Sequence, residues 1–187
     1  MLNIHLQPFP VLYTDRLELR KITPEDAKEI FELRSSDEVM KYIDIPKMKS
    51  ITEAIVKINW FDELLLNKQA IHWAITMKVN RKLIGSVLLK KIDLENHRAE
   101  IGYMLHPDFW RKGIVHETLS AILDFGFFNL NFHSIEAVIN PENIASEKIL
   151  EKNGFVKEAH FKENFYFEGQ FLDSAVYSLL KSNYKKL

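Results

Sequence analysis

The chain has 187 residues, a formal net charge of −1, 47% hydrophobic and 27% charged residues, and no cysteine. That length suits one domain, 1–187, which buries roughly 70% of the surface its unfolded chain would expose. The near-zero charge gives no whole-protein field to gather nucleic acid or a membrane surface, so any basic site must be local. Without cysteine there is no disulfide scaffold, thiolate metal site or cysteine nucleophile. No run approaches eighteen apolar residues, and Pro8, Pro10 and Asp15 break up the first twenty, so the expectation is a cytoplasmic protein.

Leu17, Leu19 and Ile22 mark a first strand. Thr23 then reads as an N-cap, with Pro24 in the first turn and Glu25 and Asp26 near the positive end of a helix running to about Arg34. Residues 37–43 read as a short helix, 47–50 as a loop, and Thr52 as the cap of a helix to about Asn67, whose Ile55, Ile58, Phe61, Leu64 and Leu65 fall at helical spacing. At Ile71 the period changes: 71–79 and 83–92 read as a hairpin turning at Asn80 and Arg81, and 98–105 continues the sheet. A helix over 114–130, a buried strand over 133–139 and a helix over 143–153 stopped by Gly154 follow. Strands over 155–167 and 171–180, turning at Glu168 and Gly169, close the chain. There is no repeat, linker or low-complexity tract.

The stretch from Glu100 to Leu119 is the most informative, because a strand runs through a short basic loop straight into a helix. Amides in the first helical turn have no intrahelical acceptor, and the helix dipole adds positive potential, so the junction suits a phosphate. Gly113 lets backbone approach, with Arg111 and Lys112 beside it. Read alone, the loop is also compatible with a tight turn at a solvated corner.

A second segment, Asn140 to Phe155, follows about thirty residues later. The pair, in this order and spacing, resembles the GNAT superfamily of acyl-CoA N-acyltransferases, most closely the RimJ/RimL branch that acetylates protein N-termini and other amines. The resemblance covers nearly the whole chain from Thr14-Asp-Arg-Leu-Glu-Leu-Arg20 onward. It implies an α+β fold with a mixed, mostly antiparallel sheet that splays in its middle and is flanked by helices. It also implies acetyl-CoA as cosubstrate, its pantetheine arm pairing with the strand that ends at Tyr103, Met104 and Leu105. Trp110, Arg111, Lys112, Gly113, Ile114 and Val115 correspond to the pyrophosphate motif, where Val115 replaces a small residue and is expected to crowd the phosphates. Asn143 matches an asparagine that contacts the pantetheine or the helix–strand connection, and Ser146 a serine that can reach the CoA sulfur in this branch. Ser146 read by itself is a helix hydroxyl bonded to its own backbone. Where many relatives carry a tyrosine acid, this chain has Leu150.

Acetylation needs a neutral amine, hence a proton acceptor. Glu100, in a context resembling the base-bearing strand of histone-type enzymes, is the candidate, the alternative being an exposed glutamate that solubilises a sheet face. It shares a face with Gly102 and Met104, opposite Tyr103, which reads as packing first and proton donor second. Amides near Met104 or Leu105 would stabilise the oxyanion. The histidines show no i, i+4 pair or compact cluster, so no metal is expected. His116, in the first helical turn, reads as a surface residue or a phosphate sensor. The acceptor pocket is expected from the early helices, the loop 45–50 and the last hairpin with Asn164, Tyr166 and Phe167, while Trp60, Trp73 and Phe171 read as core. The expected partners are acetyl-CoA and an amine, possibly a protein N-terminus, with no nucleic acid or membrane, in a monomer or homodimer; the alternatives are a small-molecule amine such as a polyamine, aminoglycoside or amino acid derivative as acceptor, or a catalytically vestigial CoA-binding module.

Overall fold

A computed structural model describes residues 2–185. Its strands are β1 (Leu12–Tyr13), β2 (Leu17–Lys21), β3 (Ile71–Met77), β4 (Leu83–Asp93), β5 (Arg98–Leu105), β6 (Ser134–Ile139), β7 (Val156–Phe167) and β8 (Gln170–Leu180). The helices are α1 (Ala27–Ser35), α2 (Asp37–Met40), α3 (Ile51–Leu66), α4 (Ile114–Asp124) and α5 (Ile144–Lys152). One mixed, mostly antiparallel sheet has the order β1-β2-β3-β4-β5-β6-β8-β7, an α+β arrangement with helices on both faces.

Among the described residues the sheet's one parallel pair is β5 with β6, and its register covers only Arg98 to Glu100 against Ser134 to Glu136. Beyond that point β6 pairs only with β8, through Ile139, and β5 only with β4, through Leu105. The sheet therefore splits at its centre. A parallel pair needs a crossover, and α4 supplies it.

Two apolar clusters sandwich the sheet. The larger joins Leu17, Leu19, Trp73, Val87, Ile101, Leu119 and Ile135 with Leu150 of α5, and the smaller joins Ile30, Leu33, Ile58, Phe61 and Ala74 with Met104. Covering on both faces explains why β3 is buried from Ile71 through Thr76 and reads as a near-continuous apolar run.

Several expectations need correction. Ser50, not Thr52, caps α3: its side chain accepts the Glu53 amide while Glu53 takes the Lys49 amide. The helix after Gly113 is α-helical only to Asp124 and then widens into a π turn over Phe125–Asn129. Gly126 lies in that turn, where a Cβ would come within 2.8 Å of Ile135. Trp73 is buried, but Trp60 is 42% and Phe171 65% exposed. Trp60 instead lies under the ammonium of Lys57, 3.8 Å from its ring centre, a contact invisible to an apolar count. Strand β1 and the buried Ile4 and Leu6 before it escape periodicity because prolines interrupt that segment.

Candidate active site

A cleft of about 590 Å³ opens at the split. Tyr103, Met104 and Leu105 line it from β5, Trp110, Arg111 and Gly113 from the loop, Ile114, Val115 and His116 from α4, and Asn143 and Ser146 from the start of α5. Lys112 lies outside the lining: its ammonium sits 5.6 Å from the Phe109 ring centre. Among the described residues, no helix is long and apolar enough to cross a membrane, and no group of three or more His, Asp or Glu could hold a metal ion.

The β5 edge is the first binding element. His106 donates to Ile84 across β4, so strand alternation turns the amides of Tyr103 and Leu105, but not Met104, toward the gap. The Leu105 carbonyl is taken by the Trp110 indole NH at 2.7 Å, which fixes Trp110 at the end of the strand.

The second element is the loop before α4. Arg111 and Gly113 both adopt positive φ, 58° and 75°, the conformation that makes glycine the natural choice at position 113. The first helical bond runs from Glu117 N–H to the Gly113 carbonyl. The amides of Ile114, Val115 and His116 therefore have no acceptor in the helix. Arg16 reaches this loop from before β2, donating to the Lys112 carbonyl at 3.0 Å and pairing with Glu117 at 2.6 Å. Burial alone would raise Glu117, but the Thr14 hydroxyl and the Arg16 amide and guanidinium hold it below the usual range. That neutralises the one carboxylate in the first turn of α4. Sequence reading includes Arg16 in the opening strand without assigning it this role; a signal was available only in the basic residue preceding Leu17.

The third element is α5. Asn143 is its N-cap, its side chain accepting the Ser146 amide at 3.0 Å. Among the described residues the Ser146 hydroxyl makes no bond to its own backbone, unlike the reading from its sequence alone. It sits beside the Tyr103 hydroxyl, which is buried without a well-formed hydrogen bond. Burial pushes Tyr103 up to about 12, with Ser146 acting weakly in the other direction. An orphaned phenol at the gap, unpaired amides on β5 and a bare helix start together fit a thioester carrying phosphates. His116 is tied to Asn153 at 3.0 Å, joining α4 to α5 rather than lying free on the surface. Leu150 is fully buried.

Glu100 is not on this cleft. It is 3% exposed, which overturns the reading as a solubilising surface residue. Its oxygens face Lys90 at 2.8 Å and Lys91 at 2.6 Å. Glu38, on α2, is the one carboxylate lining the cleft among the described residues, and nothing local in the sequence marks it.

A smaller lobe of about 180 Å³ adjoins the cleft, sharing Lys41 and Ile43 with it. Asp44, Ile45 and Lys47 line it on one side and Phe167 and Glu168 of the β7–β8 turn on the other. Asn164 and Tyr166 are not part of either lining.

The sequence matches the acetyltransferase (GNAT) domain family over residues 16–156. It is 40% identical over 173 residues, 92% of this chain and 98% of the other, to the uncharacterized N-acetyltransferase YoaA of Bacillus subtilis (strain 168). It is 29% identical, over 90% of this chain and 95% of the other, to a spermidine N(1)-acetyltransferase of Vibrio cholerae. The crystal structure of ribosomal-protein-S5-alanine acetyltransferase from Vibrio fischeri superposes with a TM-score of 0.80 at 25% identity, covering 94% of this chain and 99% of that one. The split sheet, the bare helix start and these likenesses agree, and the chain belongs to the GNAT acetyltransferases, as an N-acetyltransferase of that type.

Proposed function

We propose that this protein moves an acetyl group from acetyl-CoA to the α-amine of a peptide or protein N-terminus, by direct attack and without a covalent enzyme intermediate. The observation that carries the reading is the split between β5 and β6 beside the uncapped start of α4. When bound, acetyl-CoA supplies the acyl group as an activated thioester.

The chain's own groups would divide the work. The amides of Ile114, Val115 and His116 and the Arg111 guanidinium hold phosphate charge. The β5 amides hold the arm, that of Leu105 facing the carbonyl oxygen as it gains charge. Tyr103, still protonated at neutral pH, and Ser146 donate to the departing sulfur. Glu38 takes the amine proton, directly or through water. Glu100, already held by two ammonium groups, is assigned to fixing Lys90 and Lys91 rather than to proton transfer.

The 180 Å³ lobe supports a peptide acceptor, since it gives the residues behind an N-terminal amine somewhere to lie. The decisive assay incubates the protein with acetyl-CoA and a set of N-terminal peptides beside spermidine, scoring acetyl gain by mass spectrometry. Acetylation confined to peptide α-amines is the expected result; acetylation of spermidine alone would replace this acceptor with a polyamine.

A further inference from the structure

One half of the sheet has a bare face. The apolar cluster under α1 and α3 takes Ala74 from β3, Leu83 from β4 and Met104 from β5, and among the described residues nothing from β6, β7 or β8. On the opposite side, Ile135 and Ala137 of β6 and Ala175, Tyr177 and Leu179 of β8 pack in one cluster with Leu119 of α4 and Leu150 of α5. Strand alternation sends the residues between them to the bare face. Register then sets out its rows: Val138 beside Val176, Val156 beside Ser178, Phe161 beside Ser174, and Phe165 beside Leu172. Val138, Val156, Phe161 and Phe165 are between 40% and 59% exposed, and Val176 and Leu172 are half-buried.

Such a face is large for a lone molecule. β7 has twelve residues, β8 eleven and β6 six, so the face spans roughly 35 Å by 15 Å, about 500 Å². Apolar patches of that size mark interaction sites. Its polar groups are answered from within: Arg98 holds Glu136, the Ser178 hydroxyl donates to Glu158 at 2.6 Å, and the Ser174 hydroxyl donates to Asn164 at 2.9 Å. A face whose charges are few and already bonded has little to hold an acidic or basic partner. It does meet an identical face without repulsion, as an isologous two-fold contact requires. Two copies would bury about 1,000 Å², the lower bound for a specific interface. Edge-to-edge pairing of β7 with another β7 is the competing geometry. The β7 register slips between Lys157 and Ala159 and again between Phe161 and Phe165, and bulges of this kind keep an edge strand from being extended.

We propose that a second copy of this chain packs on the bare face of β6, β8 and β7, giving a reversible two-fold dimer whose sheets stack face to face. Phe161 and Val138 stand at the centre of the contact, with Val156 and Phe165 toward its ends. The contact borders the acceptor side of the molecule: the Phe165 and Phe167 rings stack with centres 6.5 Å apart, and Phe167 and Glu168 wall the smaller lobe. The α4 loop lies on the other face of the sheet, so the dimer leaves the cosubstrate cleft open and does not depend on the acetyl-transfer reading.

Sedimentation equilibrium over about 1 to 200 µM protein is the test. Wild type is expected to pass from monomer to dimer within that range, as an interface of about 1,000 Å² supports. Phe161→Glu puts a carboxylate at the centre of the face and is expected to raise the dissociation constant at least about 30-fold. Because Phe161 is half exposed, its melting temperature in dilute solution should stay that of wild type. Val138→Glu, from a different strand of the same face, should weaken the dimer likewise. Phe171→Glu is the matched control, since Phe171 is 65% exposed and packs with Tyr166 on the other face of the hairpin; its dissociation constant should stay within about threefold of wild type. A wild-type protein that remains monomeric throughout overturns the proposal and leaves the face to the body of a protein acceptor. A dimer that survives both Phe161→Glu and Val138→Glu, or that Phe171→Glu weakens as much as they do, overturns it by placing the contact elsewhere.

Discussion

On the α4/α5 side of the sheet what waits is chiefly backbone: Arg16 holds Glu117, Asn153 holds His116, and the free donors include amides of β5 and α4. On the α1/α3 side the backbone is paired through the sheet, and what is left unmatched is side-chain polarity, the Nε of Arg34 and the Nδ1 of a neutral His72, both buried. A cosubstrate with phosphates and a peptide-like arm is held by amides, which pre-exist in any strand edge or helix start. An acceptor must be told apart from other amines, and only side chains can do that.

The comparison can be broken most severely on the first side. Val115→Glu places a carboxylate at the first turn of α4, facing the cleft, where it would compete with the phosphates for Arg111 and the free helix amides. Acetyl-CoA affinity is expected to fall about 100-fold or more, measured by calorimetry, with little change in melting temperature. An affinity near wild type would show that the phosphates lie elsewhere.

Tyr103→Phe probes the orphaned phenol. Because that hydroxyl has no well-formed bond to lose, stability should stay within about 0.5 kcal/mol of wild type. Turnover should drop about tenfold to a hundredfold with KM for acetyl-CoA nearly constant. Parallel losses of stability and turnover would mean that the hydroxyl is structural.

Glu38→Gln and Glu100→Gln separate the two carboxylates. The first is expected to lower kcat about tenfold, with the largest deficit at low pH, where less free amine is available. The second should leave the pH–rate profile of wild type in place. The reverse ranking would return the proton acceptor to β5.

The other side can be sharpened by pH. His72 is held at about 3, by burial first and then by Arg34, Lys57 and Lys90, against an ordinary 6.5. At pH 7 it is neutral in both states and contributes nothing. As pH falls below 6.5 the unfolded chain takes a proton that the folded one refuses until about 3, so stability declines with falling pH. At pH 5 this amounts to roughly 2 kcal/mol, readable from urea melts. His72→Phe should flatten the profile by that amount, and an unchanged slope between pH 7 and 5 would show that His72 protonates in place.

What the sequence discloses follows the same division. The anion loop is legible because Trp110 to Val115 is contiguous and its chemistry depends on local order: strand, left-handed glycine, helix start. Asn143 and Ser146 are legible only through the family resemblance of one contiguous segment, and the cap that joins them, Asn143 accepting the Ser146 amide, is a finding of the structure. Arg16 carries no such mark, since its bond to Glu117 spans 101 positions. Glu38, Arg34 and His72 come from three elements, and only packing brings them to one side of the sheet. Glu100 shows the limit most clearly: alternation gives its face correctly, but its lysine partners depend on a bulge in β4 between Lys90 and Asp93 that no periodicity announces.

The central claim is that the split between β5 and β6 holds acetyl-CoA, and calorimetric titration of the wild-type protein and Val115→Glu tests it most directly. Saturable one-to-one binding by wild type, weakened about 100-fold or more in the variant, is the predicted result. Equal binding by both, or no binding by wild type at millimolar ligand, would contradict it.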